Sequence, residues 1–279
     1  MPLVRVPSFF RGHIRMRALL RAAWSYRTFV AAAIKGELKS RFARSRLGYL
    51  WFALQPLAQA LIFTMVLSEV IGARLPTNNS KLAFPVYLMA GMAAWGLFAE
   101  IINRSMSIFL EYGNAMKKIA FPRIALPLIV LGGALVNHAL LLAATMVVLA
   151  FLGYFPGWAL LALPAGAVLI ACLGLGIGVT AGILNVFSRD VNQVMSVLMQ
   201  LWFWTTPLVY PRGAVPSYVQ WLIDANPMTW LAKIYQDGFL ADSWPDPATL
   251  VVPACLALLA VIIGFVLFRR ASPEIVDAL

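Results

Sequence analysis

Charge is scarce in this chain. Of its 279 residues only 12% are Asp, Glu, Lys or Arg, against 62% that are apolar. That balance excludes an ordinary soluble domain, in which about a quarter of the residues are charged. Histidine and cysteine are scarcer still, two of each. His13 and His138 lack the spacing of a zinc site. His138 reads as a neutral histidine bonded to a neighbouring helix, in preference to a proton relay. Cys172 and Cys255 have no CxxC spacing and read as small packing residues. No GxxxxGK[ST] occurs, which excludes P-loop nucleotide hydrolysis on this chain. Paired membrane-facing carboxylates and a His/Asp constellation are also missing, so no catalytic residue is expected. Period-2 alternation is absent, which argues against a spanning β-barrel, and no internal or inverted repeat is visible.

What the chain does have is apolar runs near or above the roughly 20 residues that cross a bilayer as a helix. The expected fold is all-α, with six transmembrane helices at about 47–71, 82–110, 124–152, 159–187, 191–210 and 248–268. Ahead of them, residues 1–46 form a cytoplasmic N-terminus with an amphipathic interface helix, and 269–279 form a cytoplasmic tail after the membrane domain of 47–268. The first 46 residues contain no adequate apolar h-region, so a cleavable signal peptide is not expected and the first span serves as the insertion signal. Eleven of the 22 Lys/Arg precede residue 47. With alternate loops assigned to opposite sides, 18 fall on the side of the termini and four on the other, which places both termini in the cytoplasm. The net charge of +11 is thereby explained by topology and attraction to membrane lipids, not by nucleic acid.

The organising stretch is 35–56. Arg27, Lys35, Lys39, Arg41, Arg44 and Arg46 stand against one acid, Glu37; after Arg46 no Asp, Glu, Lys or Arg follows until Glu69. Apolar residues recur every three or four positions from Leu19 through Val30, Ile34 and Leu38 to Phe42, the pattern of a helix lying in the membrane interface. A spanning helix follows with no linker, so movement of the first is felt by the second. Arg41, Arg44 and Arg46 are placed to meet lipid-linked phosphate through bidentate guanidinium contacts, or simply to anchor on phospholipid. Glu100 and Arg104, one turn apart, read either as an i,i+4 ion pair or as a contact on a hydrated path. Gly174, Gly178 and Gly182 space a GxxxGxxxG face for close helix approach, within the protomer or across a dimer.

Aromatics are plentiful. Tyr49 and Trp51 open span one, and Trp202, Phe203 and Trp204 fall within span five. An interfacial belt accounts for many of the chain's aromatics, but mid-span rings also suit the C–H-rich faces of sugars in a conduit. Residues 211–247 have helical periodicity broken at Asn226-Pro227, as expected of two short helices dipping into the membrane from outside.

R-F-A-R-S-R-L-G-Y-L-W-F-A-L-Q-P (41–56) resembles the signature of type-2 ABC exporter membrane subunits that move bacterial polysaccharides such as O-antigen, group 2 capsule and teichoic acid. K-K-I-A-F-P-R-I-A-L-P (117–127), N-V-F-S-R-D-V (185–191) and N-P-M-T-W-L (226–231) resemble three further family segments, in the family's order. The resemblance implies a homodimeric permease in the inner membrane, working with two copies of a separate ATPase that holds the ATP and Mg. It implies a conduit lined by Tyr49, Trp51, Trp202, Phe203 and Trp204. It further implies ATPase coupling through Lys117, Lys118, Phe121, Pro122 and Arg123, a gate in the surface helix, and a periplasmic gate at Asn226, Pro227 and Trp230. The cargo would be a lipid-linked glycan, passed on in some systems to a periplasmic adaptor. The competing expectations are a type-2 ABC permease for a small hydrophobic substrate or lipid, and an integral membrane enzyme acting on lipid-linked sugars.

Overall fold

The computed structural model describes residues 26–42, 51, 54, 58, 82–118 and 123–278, and among them it is all-helical. The elements are α1 (Arg27–Phe42), α2 (Ala83–Glu111), α3 (Gly113–Lys118), α4 (Ala125–Phe151), α5 (Leu163–Phe187), α6 (Asp190–Thr205), α7 (Ser217–Ala225), α8 (Pro227–Leu240) and α9 (Pro247–Ala278). A 3₁₀ turn, Trp158–Ala162, leads into α5, and another, Arg212–Ala214, precedes α7.

Among the described residues, four helices are long and apolar enough to cross a membrane: Ala83–Glu111, Ala125–Phe151, Trp158–Phe187 and Pro247–Ser272. They match the expected spans at 82–110, 124–152, 159–187 and 248–268, because an uninterrupted apolar run has no competing structure at that length. The expected span at 47–71 lies outside the described residues apart from Trp51, Leu54 and Ala58. The expected span at 191–210 is a helix only as far as Thr205. Its 16 residues reach about 24 Å at 1.5 Å per residue, short of the roughly 30 Å of a hydrocarbon core. Residues 206–209 then run non-helically and fully buried. At the C-terminus the last helix continues past residue 268 to Ala278.

α2 is the most enclosed of the four long helices. It packs on α4, α5 and α8, while α9 covers the other side of α5. The glycines of α5 make this layering close. A Cβ at Gly174 would meet Ile101 at 3.3 Å, one at Gly178 would meet Ser105 Cβ at 2.8 Å, and one at Gly182 would lie 2.1 Å from the Ser105 carbonyl oxygen. All three therefore face α2 in the same protomer. Gly176, about 200° round the helix from Gly174, faces α9 instead, where a Cβ would fall 2.3 Å from the Ala260 carbonyl carbon. Cys172 and Cys255 are both free thiols. His138 on α4 shares a 2.9 Å hydrogen bond with the Tyr235 hydroxyl on α8, the helix-to-helix role expected of a buried histidine.

Candidate functional site

The bundle has two ends of different build. At one, α7 and α8 meet in a corner built from the N-P-M-T-W-L segment. Asn226 is the N-cap of α8: its Oδ1 accepts from the Met228 amide at 2.9 Å and from the Trp202 indole at 2.8 Å. Its Nδ2 donates to Thr206 Oγ1 at 2.8 Å and to the Thr205 carbonyl at 3.3 Å. One buried amide thus uses its whole hydrogen-bonding capacity to hold α6, the bend after it and α8 together. Pro227 occupies the first turn of α8, where its missing N–H costs nothing. The turn is tied back to α7 by Thr229 Oγ1, which donates to the Ile223 carbonyl at 2.7 Å, and by the Trp230 indole, which donates to that of Asp224 at 2.9 Å. Arg212 closes the rim with two 2.6 Å hydrogen bonds to Asp224. Those bonds hold the Asp224 carboxyl below its ordinary range.

The buried bend at 206–209 has no helical partners for its carbonyls, so other groups must supply them. The Tyr87 hydroxyl of α2 lies 2.7 Å from the Pro207 carbonyl oxygen and 3.0 Å from that of Tyr210. Gln236 of α8 donates to the same Pro207 oxygen at 3.0 Å. Neither Tyr87 nor Gln236 was legible as a site residue, because each lies well over twenty residues from the bond it makes. The motif T-T-P at 205–207 was the available signal for the bend, since a residue before proline is steered away from helix.

The α6 aromatics divide. Trp202 is half-buried, edge-on to Phe98 with ring centroids 5.0 Å apart, and its N–H is committed to Asn226. Phe203 is half-buried against Trp95, at 5.5 Å. Trp204 faces outward, 56% exposed, on a helix whose outer strip is Val194, Val197, Leu198 and Leu201. Of α6 only Met199 is buried. An apolar, aromatic-tipped face is therefore turned away from the bundle. Trp51 is likewise exposed, while Tyr49 lies outside the described residues.

At the opposite end lie α1 and α3. α1 rests on α4, and its Arg27, Lys35 and Lys39 side chains point outward. Arg41 stands in the last turn of α1; Arg44 and Arg46 lie outside the described residues. α3 carries Lys117, exposed, and ends at Lys118. Phe121 and Pro122 are outside the described residues. Arg123 donates to Ser272 Oγ at 3.0 Å, fastening the segment after α3 to the far part of α9. Asn185, which opens the N-V-F-S-R-D-V segment, donates to the Met106 carbonyl of α2 at 3.0 Å, and Asp190 sits in the first turn of α6, where the helix dipole favours it. Among the described residues no group of three or more His, Cys, Asp or Glu side chains is placed to hold a metal.

Residues 28–240 match the family model described as ABC-2 type transporter. The chain belongs to that family. The match begins in α1 and stops at the last residue of α8, so both α1 and the Asn226 corner fall within the ABC-2 unit, and α9 is packed onto it. Among curated proteins, this ABC-2 chain is 26% identical over 266 residues to an O-antigen export system permease protein, RfbA, of Myxococcus xanthus, covering 95% of this chain and all of that one. An RfbA permease of Klebsiella pneumoniae is 28% identical over 211 residues, 73% of this chain and 77% of its own length. The polysialic acid transport protein KpsM of Escherichia coli is 24% identical over 245 residues, 86% of this chain and 92% of its own.

Proposed function

We propose that this ABC-2 chain is the membrane-spanning permease of an ATP-driven exporter that carries a lipid-linked polysaccharide, of capsule or O-antigen type, out of the bacterial cytoplasm. The observation that carries this reading is similarity along nearly the whole chain to permeases named for O-antigen and polysialic acid export. Two copies of the chain form the unit. The four long helices are joined by the apolar run of 47–71 and by α6 with its bent continuation to give six spans, with both termini cytoplasmic, the orientation that the 18-to-4 distribution of Lys/Arg favours. The outward strip of α6, ending in Trp204, and the opening of the first span at Tyr49 and Trp51 line the conduit. Aromatic faces there bind sugar C–H surfaces without holding a moving polymer in strong hydrogen bonds.

Energy comes from a separate pair of ATPase chains, which bind ATP and Mg; this chain holds no cofactor of its own. α3 and the segment to Arg123 dock on the ATPase, and the Arg123–Ser272 bond passes the resulting push to α9. α1 is the gate, and α7 and α8 close the periplasmic mouth, where a periplasmic adaptor would take over the polymer. Arg41, Arg44 and Arg46 receive the phosphates of the lipid-linked glycan at the inner leaflet. Charge reversal at two of them tests this assignment. Arg44→Glu with Arg46→Glu is expected to lower surface glycan by about an order of magnitude or more, because charge-assisted phosphate bonds turn repulsive, while the ATPase still co-purifies. Normal surface glycan in that strain would remove the arginines from the substrate path.

A further inference from the structure

α1 presents its only acid inward. Among the described side chains of this helix Val30, Ala33, Ile34 and Glu37 are half-buried, whereas Arg27, Lys35 and Lys39 are exposed. Glu37 reaches α2, where its carboxylate pairs with the Arg104 guanidinium. Arg104 is only 15% exposed, and its other terminal nitrogen lies 3.5 Å from Glu100 on the same helix. Glu100 also accepts a 2.5 Å hydrogen bond from Asn137 of α4. The same place on α4 is cut away by adjacent glycines. A Cβ at Gly132 would be 2.4 Å from Ile34 Cδ1, and a Cβ at Gly133 would be 2.4 Å from Arg104 Nη1. The notch therefore seats a side chain of α1 and the arginine that pairs with α1 side by side.

We infer that Arg104 is a positioning residue that latches the interface helix α1 onto the membrane bundle through Glu37, with Ile34 in the Gly132 notch as the second point of the seat. This rests on the reading of α1 as the gate. The triad is built to open as well as to hold. A buried arginine with a single counter-ion cannot let it go without being stranded in a medium of low dielectric. Arg104 has two. When Glu37 withdraws with α1, Glu100 stays on the same helix one turn away, held in place by Asn137, and keeps the guanidinium neutralised. Glu37 can thus exchange its buried partner for water while no uncompensated cation is left behind. α1 has two arrangements available, seated and released, and anything that pulls on its basic outer face works against the Glu37–Arg104 pair.

The test reads the position of α1 directly. In a Cys172→Ala, Cys255→Ala background, Ile34→Cys and Gly132→Cys are introduced together into the full transporter in membranes and oxidised with copper phenanthroline. A cross-link is expected. Adding Arg104→Glu should lower its yield by at least about tenfold, since it replaces the half-buried Glu37 pair with a carboxylate set against both Glu37 and Glu100. Adding Glu37→Arg as well, which restores opposite charges in swapped order, should bring the yield back to within about twofold. If Arg104→Glu prevents insertion, Glu37→Gln provides the same reading from the α1 side alone. An unchanged yield in a variant that inserts normally, or a swap that restores nothing, would overturn the latch. Surface glycan measured in the same strains keeps the two ideas apart. Cross-link loss with unaltered surface glycan retains the latch and refutes α1 as the gate of export.

Discussion

Gly182→Ala is expected to cost most of the folded permease, whereas Gly174→Ala is expected to be nearly silent. The new methyl at 182 would lie 2.1 Å from the Ser105 carbonyl oxygen, where ordinary contact begins near about 3.5 Å. That oxygen is backbone inside α2 and cannot rotate away, so α2 and α5 must part by more than an ångström along their most intimate contact. Overpacking of this kind costs about 3 kcal/mol or more. At 174 the nearest atoms, Ile101 Cγ2 at 3.3 Å and Phe98 Cδ2 at 3.4 Å, are side chains that yield by a few tenths of an ångström, for at most about 1 kcal/mol. Gly178→Ala falls between, its nearest neighbour being Ser105 Cβ at 2.8 Å. The check is the yield of monodisperse protein extracted in mild detergent. The ordering Gly174, Gly178, Gly182 from mild to severe is the expected result, and equal losses at all three would contradict the close approach described.

Asn226→Ala is expected to stop export while leaving insertion of the chain largely intact. The substitution strands the Met228 amide and the Trp202 indole N–H in a region where Asn226 itself is only 8% exposed, while the Thr206 hydroxyl keeps its bond to the Trp202 carbonyl. Each unpaired buried group costs about 1–3 kcal/mol, so the corner loses on the order of 3 kcal/mol or more. None of the four long helices depends on it, so the chain should still reach the membrane. Asn226→Asp keeps the two acceptor roles but sets a carboxylate oxygen against the Thr205 carbonyl, and should rank between wild type and alanine. Trp202→Phe removes only the indole donor, leaving Asn226 one partner short at a cost of about 1 kcal/mol. Thermal melting of the detergent-extracted protein, alongside surface glycan, reads all three. Full stability in Asn226→Ala would mean that the corner is not held by this amide.

The long helices were legible because hydropathy is additive along a run and nothing competes with a helix of that length. The break at Asn226-Pro227 was legible for a local reason: an amide cap followed by a proline in the first turn is complete within three residues. The end of α6 was not. Leu208, Val209 and Tyr210 prolong the apolar run, and hydropathy does not distinguish a buried bend from another turn of helix. The extension of α9 was hidden by Arg269, Arg270 and Pro273. There the buried side chains Phe268, Ala271 and Ile275, at spacings of three and four, carry the helix on. The sequence points to the ring of Trp202, whereas the structure also commits its N–H, to Asn226. Glu100 and Arg104 were legible as neighbours, but the third member, Glu37, is 67 residues from Arg104, and no spacing rule reaches that far.

Export of a lipid-linked polysaccharide by this chain is tested most directly by deleting the gene in its host and measuring glycan both at the cell surface and inside the cell. The expected result is lost surface polymer together with lipid-linked polymer building up in the cytoplasm, reversed when the gene is supplied again. Surface glycan unchanged by the deletion would contradict export, and would bring forward a permease for a small hydrophobic substrate on the same fold.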